Sequence, residues 1–121
     1  MAMQIMIGSK KGTELVIDEK QKQVYYTDTL KNMCDGYFKE EEFTEDDEKI
    51  TYKVISSDKF LELARLICKE QEKTVIEAKR ARGNEKKNEL LNDLHDYMLI
   101  LSVFVEAINL SRTNTVYLVL V

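Results

Sequence analysis

A chain of 121 residues with 44% hydrophobic and 33% charged residues has the composition of one folded globular domain, which excludes a disordered segment. Its formal net charge of −4 argues against nucleic acid as a partner of the whole chain, because phosphate backbones attract basic surfaces. Two cysteines are too few for a disulfide framework and no signal-peptide pattern opens the sequence, so we expect a reduced, cytoplasmic protein.

Three short segments near the N-terminus alternate apolar and polar residues and predict a three-stranded antiparallel meander. The strands cover residues 3–7, 13–18 and 23–27. Residues 8–12 form the first turn, because the glycines at both of its ends supply backbone angles that other residues avoid. Residues 19–22 have the length and polarity of a four-residue hairpin loop.

The next stretch is harder to interpret. Residues 29–38 favour either a short helix or an irregular loop, with Gly36 as a breaker. Residues 40–48 include seven acidic side chains, and we expect an exposed, mobile loop because like charges at this density repel one another. Residues 50–55 alternate apolar and polar side chains and predict a fourth strand.

A long amphipathic helix is predicted over residues 59–82, with Ser57 or Asp58 as its N-cap. Its apolar stripe recurs at steps of three and four residues and comprises Phe60, Leu63, Ala64, Ile67, Gln71, Thr74, Val75 and Ala78. Gly83 and Asn84 stop this helix, since both tolerate the left-handed region. A connection this short to a second helix predicts an antiparallel helical hairpin.

The second helix, over residues 85–110, is the most apolar part of the chain. Between residues 97 and 105 only Ser102 is polar, and a helix that is apolar nearly all round must be buried nearly all round. Charged residues on both sides of this run argue against a membrane span. We therefore expect burial within the fold and at a subunit interface formed by Tyr97, Leu101, Phe104, Val105 and Ile108.

Residues 115–121 predict a last strand that is apolar on both faces, which is typical of a central strand or of one covered by a second chain. The fold class is α+β, a mostly antiparallel sheet of about five strands packed against the helical hairpin. One hairpin covers one sheet face, so the remaining apolar surface predicts a homodimer or higher oligomer. The alternative is that a single chain buries this surface by itself.

The only histidine, His95, lies between Asp93 and Asp96 and faces the region of Cys68 across the helical hairpin. A cysteine–histidine nucleophile at this place is the enzyme alternative. Cys68 borders an apolar stripe, which favours a small buried hydrophobic residue instead, so we expect no enzyme. No metal-ligand motif or glycine-rich phosphate loop is present, and we expect neither a metal nor a cofactor.

Two charged clusters are candidates for binding a macromolecular partner. The acidic cluster contains Glu40, Glu41, Glu42, Asp46 and Asp47, and the basic cluster at the hairpin tip contains Arg80, Arg82, Lys86 and Lys87. The acidic cluster either imitates a phosphate backbone and binds a nucleic-acid-binding protein, or keeps the chain soluble. The basic cluster either grips the phosphates of a nucleic acid or an acidic protein surface, or complements the end of the first long helix.

A third candidate site would hold a small anionic ligand at an oligomer interface. Polar residues in the loop between helix and strand often point into a pocket, and Arg65, Tyr25 and Tyr26 contribute if they face the same crevice. The candidate loop residues are Arg112, Thr113 and Asn114.

These patterns favour a small non-enzymatic binding protein that acts as a homo-oligomer on a protein partner. An inhibitor, adaptor or immunity-type protein, of the kind that a phage or another mobile element carries, has this character. The first alternative is a small-ligand binder that sequesters or senses an anionic nucleotide or metabolite. The second is a small enzyme that uses His95 or Cys68.

Overall fold

The structure of the chain, a computed structural model, describes residues 3–121 and has within them six strands and three helices. The strands are β1 (Gln4–Lys11), β2 (Glu14–Ile17), β3 (Val24–Tyr25), β4 (Lys39–Glu45), β5 (Glu48–Ser56) and β6 (Thr115–Leu120). The helices are α1 (Asp28–Cys34), α2 (Phe60–Arg80) and α3 (Asn84–Leu110), and 3-10 turns lie at Asp35–Tyr37 and Ser57–Lys59. The predicted α+β class and the α2–α3 hairpin are confirmed.

All strand pairs are antiparallel, in the order β2-β1-β6-β5-β4, and β6 is central, as its two apolar faces indicate. The three N-terminal strands do not form a simple meander, because β3 pairs with β1 and not with β2. β1 is eight residues long, so its first two residues pair with β3 and its last four with β2. The turn between β1 and β2 is therefore only Gly12 and Thr13, and Gly8 lies inside β1.

The prediction of a mobile acidic loop over residues 40–48 is wrong. This segment forms β4 and the start of β5, joined by a two-residue turn in which Asp46 and Asp47 have φ angles of 50° and 65°. Left-handed angles at both turn residues define the tight hairpin connection whose twist matches that of the flanking strands. Pairing with β5 and burial of Phe43 outweigh the repulsion between the acidic side chains.

The helix ends differ slightly from those predicted. Thr27 caps α1, its side chain accepting a hydrogen bond from the backbone N–H of Leu30. Neither Ser57 nor Asp58 caps α2, because both belong to the 3-10 turn that precedes it, and the hydroxyl of Ser56 bonds to the Asp58 carboxylate. The prediction that Gly83 and Asn84 stop the first long helix is wrong: α2 ends at Arg80 with Ala81 as its C-cap, and Gly83, with a φ of +92°, is the N-cap of α3.

The main core lies between one face of the sheet and the three helices. Val116, Leu118 and Leu120 of β6 point into it, and Phe60 of α2 meets Phe104 of α3 edge to face, with ring centroids 5.9 Å apart. All of the predicted stripe of α2 is buried or half-buried. The amphipathic pattern of this helix thus sets which of its faces packs.

A second core covers the opposite face of the sheet. The sheet coils until its two edge strands, β2 and β4, touch, and the backbone N–H of Thr44 donates to the carbonyl of Thr13 at 2.8 Å. This enclosed core contains Leu15, Phe43, Val54, Tyr117 and Val119. Both faces of β6 are therefore buried within one chain, and the part of the oligomer argument that rested on this strand is wrong.

Candidate partner-binding site

The β4–β5 hairpin presents its acidic side chains on two faces and at its tip. Phe43 is buried and packs edge to face against Tyr117 and Tyr52, with ring centroids 5.5 and 5.9 Å away. Because side chains alternate along a strand, Glu40 and Glu42 point to the face opposite Phe43, where both are exposed. The anchored phenylalanine therefore fixes the direction of the acidic groups beside it.

The net charge of the protein is concentrated on this hairpin. Residues 39–56 carry seven acidic and three basic side chains, a formal charge of −4, while the remaining residues carry fifteen of each sign. The acidic residues proposed for partner binding, except Glu41, are exposed. Glu41 is half-buried and lies beside Tyr117, so it belongs partly to the fold.

A cleft of about 550 Å³ lies beside the first residues of β4. The residues that line it include Tyr37, Lys39, Glu41, Lys59, Glu62 and Tyr117.

Tyr117 is the aromatic hydroxyl group beside Glu41 in this cleft. Burial, together with the charge of Glu41 and a hydrogen bond to it, raises the pKa of Tyr117. The Tyr117 hydroxyl therefore stays protonated at neutral pH and acts as a hydrogen-bond donor. Lys59 and Glu62 form an exposed ion pair at 3.6 Å on the rim.

Sequence reasoning missed this cleft, although a signal for the hairpin was present. The paired aspartates at positions 46 and 47 are residues that tolerate left-handed angles, as a tight turn requires. Phe43 is the only apolar residue between positions 39 and 45, so no apolar alternation marks the strand before the turn. No local pattern brings Tyr117 or Lys59 to the same place, because both approach β4 only through the tertiary fold.

A stripe of apolar side chains remains exposed on α3. Leu91, Met98 and Val105 are 47%, 61% and 62% exposed and recur every seven residues, so they lie along one side of the helix. Leu94, Leu101 and Ile108 flank them and are half-buried. Two of the five predicted interface residues, Tyr97 and Phe104, are instead buried in the main core of their own chain. Among the five, only Val105 is fully on the surface.

The basic residues Arg80, Arg82, Lys86 and Lys87 lie, as expected, at the tip of the helical hairpin, and all four are exposed. Residues 82–89 are exposed throughout, so the tip projects beyond the packed part of the fold. Acidic neighbours interrupt the positive charge, and Lys86 lies 4.0 Å from Glu89. The cluster is thus a mixed surface whose net positive charge is small.

The residues predicted to bind a small anion do not share a crevice. Three of them, Arg112, Thr113 and Asn114, are exposed. They directly precede Thr115, the first residue of β6, which pairs with Lys10 near the end of β1. Tyr25 pairs with Gln4 at the opposite end of β1, roughly 20 Å away at the rise of a strand. Tyr26 donates to Asp35 at 3.1 Å, and Arg65 is exposed on α2.

The environment of Cys68 differs from the prediction. Cys68 is exposed and not buried, whereas Cys34 is buried in the main core, and burial raises the pKa of its thiol to about 12. The carboxylates that flank His95 bond to the α1 region, where Asp96 accepts from Thr27 and Asp93 from Thr29, both at 2.9 Å. They dock α1 onto α3, and His95 itself is exposed.

Within residues 3–121, no group of three or more histidine, cysteine or acidic side chains is arranged to hold a metal ion. In the same part of the chain, no helix has the length and apolar character needed to cross a membrane. Comparison with protein-family models, with curated proteins and with solved structures finds no match for this chain.

Proposed function

We propose that this protein is a small, non-enzymatic, cytoplasmic binding protein that acts as a homo-oligomer on a protein partner with a basic surface. The observation that carries the proposal is the concentration of the net charge of −4 on the β4–β5 hairpin, whose two strands are paired along their length. An inhibitor, an adaptor or an immunity-type protein works in this way, by occupying the surface of another protein.

The hairpin supports this role because its charges are held at fixed positions. Glu40 and Glu42 lie two residues apart on one face of β4, which is roughly 7 Å along a strand. Asp46 and Asp47 continue the negative charge at the exposed tip. Lys53 lies directly across from Glu40 and offsets part of this charge. The other carboxylates, at Glu42, Asp46 and Asp47, resemble a polyanion, so their complement is a protein surface that is built to hold phosphate groups.

The exposed stripe of α3 supports association between copies. Leu91, Met98 and Val105 are about half exposed, so covering the rest of each side chain contributes roughly 1 kcal/mol, about half of the value for a fully exposed one. An assembly of two copies carries two acidic hairpins, and linked sites bind a repeating or symmetric partner more tightly than one site does. The oligomer therefore strengthens the proposed function without contributing to the hairpin itself.

Two groups with raised pKa values, Cys34 and Tyr117, are unsuited to catalysis at neutral pH. The raised pKa of Cys34 keeps its buried thiol protonated and unreactive at neutral pH, and the Tyr117 hydroxyl is a donor for the same physical reason. Neither group serves as a nucleophile or a base under these conditions.

The test uses two variants of the protein as bait in an extract of host cells. Each variant replaces four acidic residues with the corresponding amides, which changes the formal net charge from −4 to 0. The first changes the exposed acids of the hairpin, Glu40→Gln, Glu42→Gln, Asp46→Asn and Asp47→Asn, and leaves the half-buried Glu41 in place. The matched control changes four exposed acids elsewhere, Glu19→Gln, Glu72→Gln, Glu77→Gln and Glu89→Gln. Quantitative mass spectrometry identifies the retained proteins.

We expect a specific protein to be retained by the unmodified chain and by the control but lost from the hairpin variant. Its retention should weaken as salt is raised, because screening reduces attraction between exposed charges. If both variants retain the same proteins equally, the hairpin is not the binding surface and the proposal is overturned.

A further inference from the structure

We infer that the outer edge of β4 binds an extended, basic segment of the partner as an additional strand, with the neighbouring cleft receiving side chains of that segment. The inference rests on the proposed function and names the form in which the partner is recognised. The unpaired edge of the sheet and the cleft lie beside the same residues of β4, and an added strand would use both.

No strand of the described residues pairs with the outer edge of β4 over residues 39–43. β4 is the last strand of the sheet, and its only strand partner in the described residues is β5. The coil of the sheet brings β2 against β4 at the Thr44–Thr13 hydrogen bond, near the end of β4. Residues 39–43 precede that contact, and their outer side has no paired strand in residues 3–121.

The register shows which backbone groups face outward. A two-residue turn makes Glu45 and Glu48 a hydrogen-bonded pair, so residues 39, 41, 43 and 45 bond to β5 and the residues between them point away. The outward N–H of Thr44, which donates to Thr13, confirms this alternation. Glu40 and Glu42 therefore each present one N–H and one carbonyl at the edge, four groups in a row for a further strand.

The cleft of about 550 Å³ runs beside the same residues. In an added strand, alternate side chains lie on the face of Glu40 and Glu42, and the others lie on the face of Glu41 and Tyr117. The second set enters the cleft, where Tyr37, Val54 and Tyr117 offer apolar surface. Main-chain hydrogen bonds contribute affinity in such complexes, while pockets for alternate side chains supply specificity.

Charge selects a basic segment over a second copy of β4. Pairing two copies along this edge would place Glu40 and Glu42 against the same residues of the other copy, and like charges directly opposite each other destabilise a sheet. A segment with lysine or arginine at alternate positions instead meets these carboxylates with the opposite charge. The occupant is therefore an extended segment that alternates basic and apolar residues.

The test uses two synthetic peptides of alternating lysine and valine. One has an ordinary backbone, and the other carries N-methyl groups on alternate amides, which removes hydrogen-bond donors but keeps every charge. We expect the ordinary peptide to bind, and the methylated peptide to bind about tenfold more weakly or worse, as measured by titration calorimetry. Amide exchange at Glu40 and Glu42 should slow only with the ordinary peptide.

Two variants of the protein test whether the outward N–H of residue 42 is needed for peptide binding. Glu42→Pro removes the outward N–H without removing a bond to β5, because proline is accommodated on edge strands where the N–H faces solvent. Glu42→Thr removes the same charge but keeps the N–H. We expect Glu42→Pro to lose peptide affinity by about tenfold relative to Glu42→Thr.

Equal binding of the two peptides would overturn strand addition and leave attraction between charges as the whole interaction, with the proposed function intact. Failure of both peptides to bind at low salt would overturn the inference as well. The extract experiment above decides the proposed function independently, because it requires no particular backbone conformation in the partner. If Glu42→Pro fails to fold, the methylated peptide still decides the result.

Discussion

At the scale of single residues, the coiled sheet requires glycine at position 8, because there is no room for a Cβ atom there. A Cβ atom at this position would lie 2.9 Å from Cγ2 of Val119 and 3.0 Å from Cδ1 of Leu15. Both neighbours belong to the second core, and Val119 is completely buried. The glycine therefore leaves the space that these two side chains fill when the sheet closes on itself.

Gly8→Ala should destabilise the fold by about 1–3 kcal/mol, because overpacking of a close-packed core forces neighbours out of their preferred rotamers. Gly36→Ala is the control, since a Cβ atom there meets nothing within 4 Å, and its effect should stay within about 0.5 kcal/mol. Urea unfolding measures both. Equal effects at the two positions would mean that the second core does not close over Gly8.

At the scale of elements, the β4–β5 hairpin forms from a segment whose composition favours a loop. Seven acidic side chains oppose close pairing, but the opposite-charge pair Glu40 and Lys53 lies directly across the two strands. Phe43 anchors the hairpin in the second core. The two aspartates of the turn hold left-handed angles that most residues avoid, which leaves strain at the tip.

Changing the turn with Asp46→Asn and Asp47→Gly should stabilise the fold by roughly 1 kcal/mol, because asparagine followed by glycine is the preferred sequence for left-handed angles at both positions. Thermal unfolding measures the gain. The control, Glu19→Gln with Glu72→Gln, removes two exposed negative charges elsewhere. An equal gain in the control would assign the effect to charge and not to backbone geometry.

At the scale of the whole molecule, α3 has two different apolar sides. Its inner side, which includes Ile100, Val103 and Ala107, fills the core between the sheet and the other helices. Its outer stripe of Leu91, Met98 and Val105 faces solvent in the single chain. The seven-residue spacing of that stripe is typical of a helix that packs lengthwise against another helix.

If copies associate through this stripe, Met98→Glu should convert the assembly to a monomer of 14.1 kDa without changing the fold. A charge at the centre of an apolar interface loses its hydration without gaining a partner. Leu61→Glu is the control, because Leu61 is 71% exposed on α2 and lies outside the stripe. Sedimentation equilibrium measures the mass, and an unmodified chain that is already monomeric would contradict the association.

Local patterns were enough to predict the elements with strong periodicity. The spacing of Phe60, Leu63 and Ile67 indicated the buried face of α2, and Gly83 indicated a break between the two long helices. The unbroken apolar run of residues 116–120 indicated a strand covered on both faces, and the structure shows that it is central in the sheet. These features are encoded locally, since a helix or a strand repeats its buried side chains at a fixed period.

The candidate site was predicted only in part. Its acidic residues were identified from the sequence, but their conformation was not, because charge repulsion is a local property whereas strand pairing and the burial of Phe43 depend on distant parts of the chain. Tyr97 and Phe104 were assigned to an interface because an apolar helix does not by itself reveal which of its sides packs inside the chain.

The sequence by itself determined the class of the fold, the helical hairpin, a last strand that is apolar on both faces and the location of the net charge. Only the tertiary structure decided that the sheet coils to bury its second face, that β4 presents a free edge and that Tyr117 and Lys59 meet beside it. The physical reason is that periodicity specifies which side of an element is apolar, whereas the choice among the surfaces able to cover it depends on the packing of the whole chain.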